Sequence, residues 1–193
     1  MQQTATTRMT EGSIPKKMVA FAIPLFLGNL FQQLYNVADS LIVGNTLGSE
    51  ALAAVTSSGS LIYLMTGFFH GMATGAGVVI SRYFGARNEK AVRRVIHTDI
   101  AFGFLCGIVL TVIGVLFTPQ FLKLMGTPAD VFPDSVSYLR IYFLGSVAIV
   151  LYNICMSILN AMGDSKHPLY YLIISSVVNV VLDIIFCGLL GRG

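Results

Sequence analysis

Charged residues are scarce in this chain. Of its 193 residues only 11% are Asp, Glu, Lys or Arg, whereas 55% are hydrophobic. Soluble domains carry roughly 25% charged residues, which cover their surface. The composition therefore excludes an ordinary soluble domain, and the excess of hydrophobic residues excludes intrinsic disorder. The net charge of +3 is too small to support a nucleic-acid-binding surface.

Cysteine is also scarce, and motifs of enzyme chemistry are missing. Cys106, Cys155 and Cys187 lie inside apolar runs, without a CxxC spacing or a histidine cluster nearby. This arrangement predicts small apolar residues, not a disulfide framework or a metal site. The sequence contains no Walker motif and no HExxH motif. We therefore expect a protein that is not an enzyme and that needs no cofactor.

Long apolar runs dominate what is present. They predict five membrane-spanning helices, because a helix needs about 20 apolar residues to cross the lipid bilayer. Strands of a β-barrel would alternate over about ten residues, whereas these runs are continuous. The sequence thus predicts an all-α, multi-pass membrane protein. After a polar tail at 1–16, the predicted spans are 17–44, 53–80, 95–118, 136–161 and 168–190.

Basic residues are distributed unevenly between the two ends of these spans. Nine lie in the tail and in the breaks after the second and fourth spans, and three lie at the opposite ends. Because cytoplasmic segments carry the excess of Lys and Arg, the N-terminus is predicted to be cytoplasmic in a cell membrane. The nine are Arg8, Lys16, Lys17, Arg82, Arg87, Lys90, Arg93, Arg94 and Lys166. The three are Lys123, Arg140 and Arg192.

The first span carries the richest set of polar residues. They recur every three or four positions, which places them along one side of a helix. Lipid cannot satisfy such a stripe, so it must face other helices or water. Its amides are suited to hydrogen bonds between helices, whereas a carboxylate at this depth needs a proton, a cation or a basic partner. The stripe comprises Asn29, Gln32, Gln33, Asn36, Asp39 and Ser40.

The fifth span contains a second carboxylate, Asp183, with Asn179 one helical turn before it. The first and fifth spans are predicted to run in the same direction, so Asp39 and Asp183 both lie about 10 Å below the external surface. Two carboxylates and an amide at one level predict an oxygen-lined site. Such a site would bind either a proton shared between close carboxylates or Na⁺, and the sequence leaves this choice open.

Other polar residues within the spans have simpler interpretations. Asn153, Ser157 and Asn160 share one face of the fourth span. His70 lies in the middle of the second span, where it is interpreted as a neutral, hydrogen-bonded packing residue. Asp99 lies near the start of the third span and is interpreted as an interfacial residue.

Two features concern the shape and packing of helices. Pro24 lies seven residues into the first span and predicts a kink or hinge, because proline removes a backbone hydrogen bond. In the second span Gly67, Gly71 and Gly75 repeat every four residues. This ridge of small residues predicts a tightly packed interface with another helix.

Four segments resemble the N-terminal half of bacterial-type multidrug and toxic compound extrusion (MATE) transporters. They are AIPLFLGNLFQQLYNVADSLIVGNTLGSEALAA, SRYFGARNEKAVRR, ILNAMGDSKHPLYY and NVVLD, and they occur in this order from about residue 13 onward. Such transporters have twelve helices in two six-helix lobes. They export cationic and amphipathic compounds by Na⁺ or H⁺ antiport. By this resemblance the chain supplies five helices of an N-lobe, without the sixth helix and the C-lobe.

The resemblance also implies roles for single residues. The cation or proton site of the lobe would consist of Asp39, Asn179 and Asp183, and no metal other than Na⁺ is expected there. The substrate cavity would be lined by Gln32, Tyr35, Asn36, Asn153 and Asn160. Pro24 would permit the first helix to bend when the ion site is protonated.

Two alternatives compete with drug–cation antiport. One is a flippase for lipid-linked oligosaccharides from the same superfamily, which would need a basic cavity for the pyrophosphate. The predicted spans lack a Lys or Arg near the middle of the membrane, which favours the antiporter. The other alternative is a scaffold or truncated product that does not transport. Paired carboxylates at one depth argue against a scaffold, because a scaffold has no use for them.

Overall fold

The computed structural model of the chain describes residues 13–46 and 49–189. Most of the tail at 1–16, including Arg8, lies outside these ranges, as does Arg192. Within the described ranges the chain is helical and contains no strand, which confirms the all-α prediction. The elements are α1 (Ile14–Thr46), α2 (Ser49–Gly85), α3 (Glu89–Leu124), α4 (Phe132–Leu144), α5 (Ser146–Ala161), α6 (Lys166–Asp183) and a π-helix, Ile184–Leu189.

The helices have the length and composition of membrane spans. Among the described residues, α1, α2, α3 and α6 each contain a segment long and apolar enough to cross a bilayer. The pair α4 and α5, bent by 51°, passes the same test together, which gives four spans, or five if the bent pair is one span. A multi-pass helical membrane protein is therefore confirmed. The helices extend beyond most of the predicted span boundaries, α3 by six residues at each end.

The bend between α4 and α5 is not in the sequence prediction, which treats 136–161 as one continuous span. It lies at Gly145, which is followed by Ser146, and glycine–serine pairs are one of the few causes of sharp helix kinks. The N–H of Gly145 donates to the carbonyl of Tyr142 at 3.1 Å, a tighter turn than the α-helical spacing. The bend lets α4 and α5 both follow α3.

Glycines on α3 make this close packing possible. Gly107 faces Val147 of α5, and Gly114 faces the ring of Phe143 of α4. A Cβ atom added at Gly107 would lie 2.8 Å from the Cα atom of Val147, which is closer than two carbon atoms can approach. Because these positions lack a side chain, the backbones of α3 and α5 can touch.

The predicted glycine ridge of α2 is wrong as a packing interface in this structure. A Cβ atom added at Gly67, Gly71 or Gly75 would meet nothing within 4 Å among the described residues. The packed ridge is offset by two residues and carries Ala73 and Gly77. There the hydroxyl of Ser157 in α5 donates to the carbonyl of Ala73 at 2.7 Å. Two ridges of small residues lie side by side on α2, and their spacing alone does not distinguish them.

The buried core lies in the bundle formed by α2, α3, α4 and α5. Its fully buried side chains include Ile80, Leu122, Leu139 and Ile154. By contrast, α1 packs mainly on α6, and this pair adjoins the bundle through α2 and α5. Both helices expose large apolar side chains, as helices in contact with lipid do.

Candidate functional site

The two carboxylates of the predicted ion site lie next to each other. Asp39 is on α1 and Asp183 is the last residue of α6, and these helices pack side by side. Their carboxyl groups are within hydrogen-bonding reach, and both residues are half-buried. Two carboxyl groups can share a hydrogen bond only if one carries a proton; otherwise their charges need a cation. The pair is therefore suited to hold one proton or one small cation.

Asn179 lies one turn before Asp183 on α6. Its amide Oδ1 and the Oδ2 of Asp183 are both buried, and neither has a hydrogen-bond partner among the described residues. Such atoms are rare in folded proteins because each costs about 1–3 kcal/mol. Amide and carboxylate oxygens are the donors that suit a hard cation. The described residues contain no group of three or more His, Cys, Asp and Glu side chains that could hold a metal ion.

The backbone changes its winding at Asp183. Directly after this residue α6 passes into the π-helix Ile184–Leu189. The N–H of Ile184 is shared between the carbonyls of Val180 and Val181 at this junction. π-Helical turns are rare and occur frequently at functional sites. This junction thus gives the end of α6, where Asp183 lies, an unusual local geometry.

Two tyrosines lie near the acidic pair, and a third lies beside those two. Tyr35 lies one turn before Asp39 and is within electrostatic reach of Asp39 and Asp183. From α4, Tyr138 is within reach of Asp39, and Tyr142 is within reach of Tyr35 and Tyr138. All three are half-buried, so their hydroxyl groups can serve as hydrogen-bond donors to a carboxylate away from bulk water.

The sequence predicts Tyr35 but not Tyr138 and Tyr142. The sequence does contain a signal for them. Tyr138 and Tyr142 are one helical turn apart, and both lie near the predicted external end of the fourth span. That is also the level predicted for Asp39. What the sequence does not indicate is the bend at Gly145, which sets the course of α4.

A cavity of about 620 Å³ lies among α1, α2 and α5. It reaches the end of the lobe where α2 and α5 terminate, near Gly85 and Gly163. Its walls combine apolar and polar side chains. The polar lining comprises Asn29, His70, Thr74, Ser81, Asn153, Ser157 and Asn160. Asn153 and Asn160, two of the predicted substrate residues, therefore face one shared space.

The other predicted substrate residues are not part of this lining. Tyr35 lies beside the carboxylates, and Gln32 and Asn36 are exposed. The amide nitrogen of Asn36 donates to Oε1 of Gln33 at 3.4 Å, along the same face of α1. Their assignment to a substrate cavity stays a prediction.

The cavity and the acidic pair lie at different levels of the lobe but share one helix. Asn29 of α1 lines the cavity, and Asp39 lies ten residues further along α1, which is about 15 Å along the helix axis. Pro24 lies inside α1, on the other side of Asn29 from Asp39, and α1 is helical throughout Ile14–Thr46. Any change in the course of α1 would thus affect both features.

A third carboxylate lies apart from this pair. Asp99 of α3 is only 7% exposed, and its Oδ2 is buried without a hydrogen-bond partner among the described residues. Asp99 is thus buried between helices, and its interpretation as interfacial in the membrane stays a prediction. Because α3 begins at Glu89, Asp99 lies ten residues inside the helix, on the buried face that continues through Gly103 and Gly107.

Comparisons with known proteins agree on one family. The family model MatE matches residues 24–185. The probable multidrug resistance protein YoeA of Bacillus subtilis is 37% identical over 187 residues, covering 96% of this chain and 40% of that protein. The probable multidrug resistance protein YpnP of the same organism is 30% identical over 184 residues, covering 95% of this chain and 41% of that protein.

A solved structure gives the same result for the fold. It is the outward-facing conformation of a multidrug resistance MATE family transporter of the MOP superfamily. Its similarity to this chain has a TM-score of 0.91 at 27% identity, and covers 100% of this chain and 43% of the solved one. The chain thus spans about two fifths of the length of the proteins it matches.

Proposed function

The chain belongs to the MatE family, and from this premise we propose that it forms the N-terminal lobe of a secondary active multidrug exporter. The exported compounds are cationic or amphipathic drugs, and a coupling ion, Na⁺ or H⁺, moves in the opposite direction. The observation that carries the proposal is the contact between Asp39 and Asp183, carboxyl groups on two adjacent membrane helices. A lobe with no ion to bind has no use for this costly pair.

The coupling ion binds at Asp39, Asn179 and Asp183. A proton or Na⁺ there removes the repulsion between the two carboxylates and gives the free oxygens of Asn179 and Asp183 a partner. The ion therefore favours the conformation in which α1 and α6 hold these groups together. Loss of the ion favours a conformation in which they separate, and this difference in affinity is what drives alternating access.

The drug binds in the cavity among α1, α2 and α5. Its volume of about 620 Å³ is in the range of pockets for drug-sized ligands, roughly 300–1,000 Å³. Apolar walls with a few amides and hydroxyl groups suit an amphipathic compound. Pro24 acts as the hinge of α1, because the hydrogen bond that proline omits lowers the cost of bending there. Bending of α1 couples the ion site to the cavity wall at Asn29.

Two observations favour drug export over flipping of lipid-linked oligosaccharides. The cavity lining contains no Lys or Arg among the described residues, whereas a pyrophosphate requires basic partners. The two relatives named above carry names of multidrug resistance proteins. The distribution of Lys and Arg further supports a location in the plasma membrane with the N-terminus in the cytoplasm.

The test is export of a cationic dye from cells or vesicles by the complete polypeptide that contains this chain. Asp39→Asn and Asp183→Asn are each expected to reduce ion-driven export at least about tenfold, because loss of one charge abolishes the ion site. Asp130→Asn, in the exposed connection between α3 and α4, is the matched control and is expected to retain export. Imposing a proton gradient alone or a Na⁺ gradient alone identifies the coupling ion.

Two outcomes would contradict the proposal. If both variants of the pair retain export, the assignment of the ion site is wrong. If the unmodified protein transports neither the dye nor other cationic drugs under either gradient, the exporter itself is refuted.

A further inference from the structure

His70 is the one titratable side chain in the lining of the cavity among the described residues. The lining parts of α1, α5 and the turn after α5 contribute amide, hydroxyl, thioether and apolar groups only. The nearest charged groups along the chain, Arg82 on α2 and Asp164 after α5, are outside the lining. Asp164 is moreover engaged by the ring of His167. Among the described residues that line the cavity, the charge of the wall therefore depends on His70.

The side chain of His70 lines the cavity as an exposed imidazole. The residue is exposed to the cavity, and its ring has no hydrogen-bond partner among the described residues. The nearby hydroxyl of Thr74 donates to the backbone carbonyl of His70 at 2.8 Å instead. The interpretation of His70 as a hydrogen-bonded packing residue is thus wrong. The residue of this turn that packs into the buried core is Phe69, whose side chain is 8% exposed.

A charge on His70 has no counter-charge within the cavity. Histidine gains its proton within the range of about pH 8 to pH 5. A protonated imidazole repels a bound cation and attracts a bound anion, and both effects are stronger in a cavity with apolar walls than in water. The neutral imidazole does neither and offers one donor and one acceptor nitrogen.

We propose that His70 sets the charge preference of the cavity. With His70 neutral, the cavity binds cationic amphipathic compounds through its apolar and amide groups. With His70 protonated, the cavity rejects them and favours anionic compounds of the same shape. This inference rests on the proposed function, since it assumes that the cavity among α1, α2 and α5 is the drug site.

The test compares two rigid ions of matched shape, tetraphenylphosphonium and tetraphenylborate. Neither titrates between pH 8 and pH 5, so any pH dependence of binding belongs to the protein. Binding is measured on the complete polypeptide in detergent at about pH 8 and about pH 5.5, which bracket the titration of histidine. The cation is expected to bind at least about fivefold more weakly at the lower pH, and the anion at least as tightly as at pH 8.

Variants assign this dependence to one residue. His70→Gln is expected to bind the cation equally at both pH values. His70→Lys, which is charged at both, is expected to bind it weakly throughout and to bind the anion more tightly. The matched control His97→Gln changes an exposed histidine of α3 outside the lining and keeps the dependence of the unmodified protein. All variants are also measured with Asp39→Asn and Asp183→Asn, which removes both carboxyl groups of the acidic pair.

Failure of this inference is distinct from failure of the proposed function. If the cation binds and its pH dependence survives in both His70 variants, His70 does not set the charge preference, while the drug site stands. If neither ion binds at any pH, the cavity is not a drug site, and both proposals about it are wrong.

Discussion

Asn179 is the residue whose surroundings point most directly to a bound ion. Its buried Oδ1 has no partner among the described residues, beside an equally unpartnered oxygen of Asp183. Asn179→Ala removes one oxygen donor while both carboxylates remain. We expect the coupling-ion concentration for half-maximal dye export to rise about tenfold, because one hydrogen bond or ligand to a charged group contributes about 1.5–3 kcal/mol.

The control for this variant is Asn45→Ala, which removes an exposed amide near the end of α1. It is expected to leave the half-maximal concentration unchanged. An Asn179→Ala protein with unaltered ion dependence would show that the site consists of the carboxylates alone.

The three carboxylates show what the sequence predicts at the residue scale. The matched depth of Asp39 and Asp183 follows from counting residues along two helices of the same direction. Their contact does not follow from the sequence, and it is the structure that places their carboxyl groups together. The burial of Asp99 does not follow from the sequence. It depends on the packed face of α3 extending beyond the apolar run, so that Asp99 continues the buried row of Gly103 and Gly107. The role of Tyr138 is missed for a similar reason, since it depends on the course of α4 after a bend.

At the scale of helices, glycines of α3 and α2 form a matched pair for a stability test. Gly107→Ala places a methyl group 2.8 Å from the backbone of Val147, so α3 and α5 must separate. We expect a loss of about 1–3 kcal/mol, the usual cost of overpacking a core. Gly71→Ala meets nothing within 4 Å and raises helix propensity, so it is expected to be neutral or slightly stabilising.

The measurement is thermal unfolding of both variants in detergent, followed by helical circular dichroism. Equal melting temperatures for the two variants would contradict the packing of α3 against α5. A destabilised Gly71→Ala protein would instead indicate that the α2 ridge is covered by another part of the polypeptide.

Pro24 provides the corresponding test of motion. Pro24→Ala restores a backbone N–H inside α1. Bending of this helix then becomes more costly, by up to about 3 kcal/mol. We expect dye export to slow at least about tenfold while ion binding at Asp39 and Asp183 is retained. Export at the original rate would show that α1 does not bend at Pro24 during transport.

The helices themselves were predicted better than their contacts. Continuous apolar runs predict the membrane spans, because the requirement for internal hydrogen bonding leaves few alternatives within lipid. Hydropathy does not detect the bend at Gly145, since the apolar pattern continues through it. It also does not decide which of two small-residue ridges on α2 is packed, since that depends on the position of Ser157 on another helix.

At the scale of the whole lobe, burial is divided unequally among the helices. All fully buried hydrophobic side chains lie on α2 to α5 and the residue just before α4. No described side chain of α1 is fully buried, and α6 buries only Pro168. The bundle therefore provides most of the close packing of the described chain, and in lipid it is this packing that holds helices together.

This division assigns stability and movement to different helices. The two adjacent carboxyl groups belong to α1 and α6, and α1 also forms one wall of the cavity. Both helices contribute little to the core. A displacement of these two helices leaves the packing of Leu122, Leu139 and Ile154 intact. Under the proposed function, substitutions in α1 and α6 are therefore expected to alter ion dependence or substrate range at little cost to the stability of the fold, which leaves this edge of the lobe open to evolutionary change.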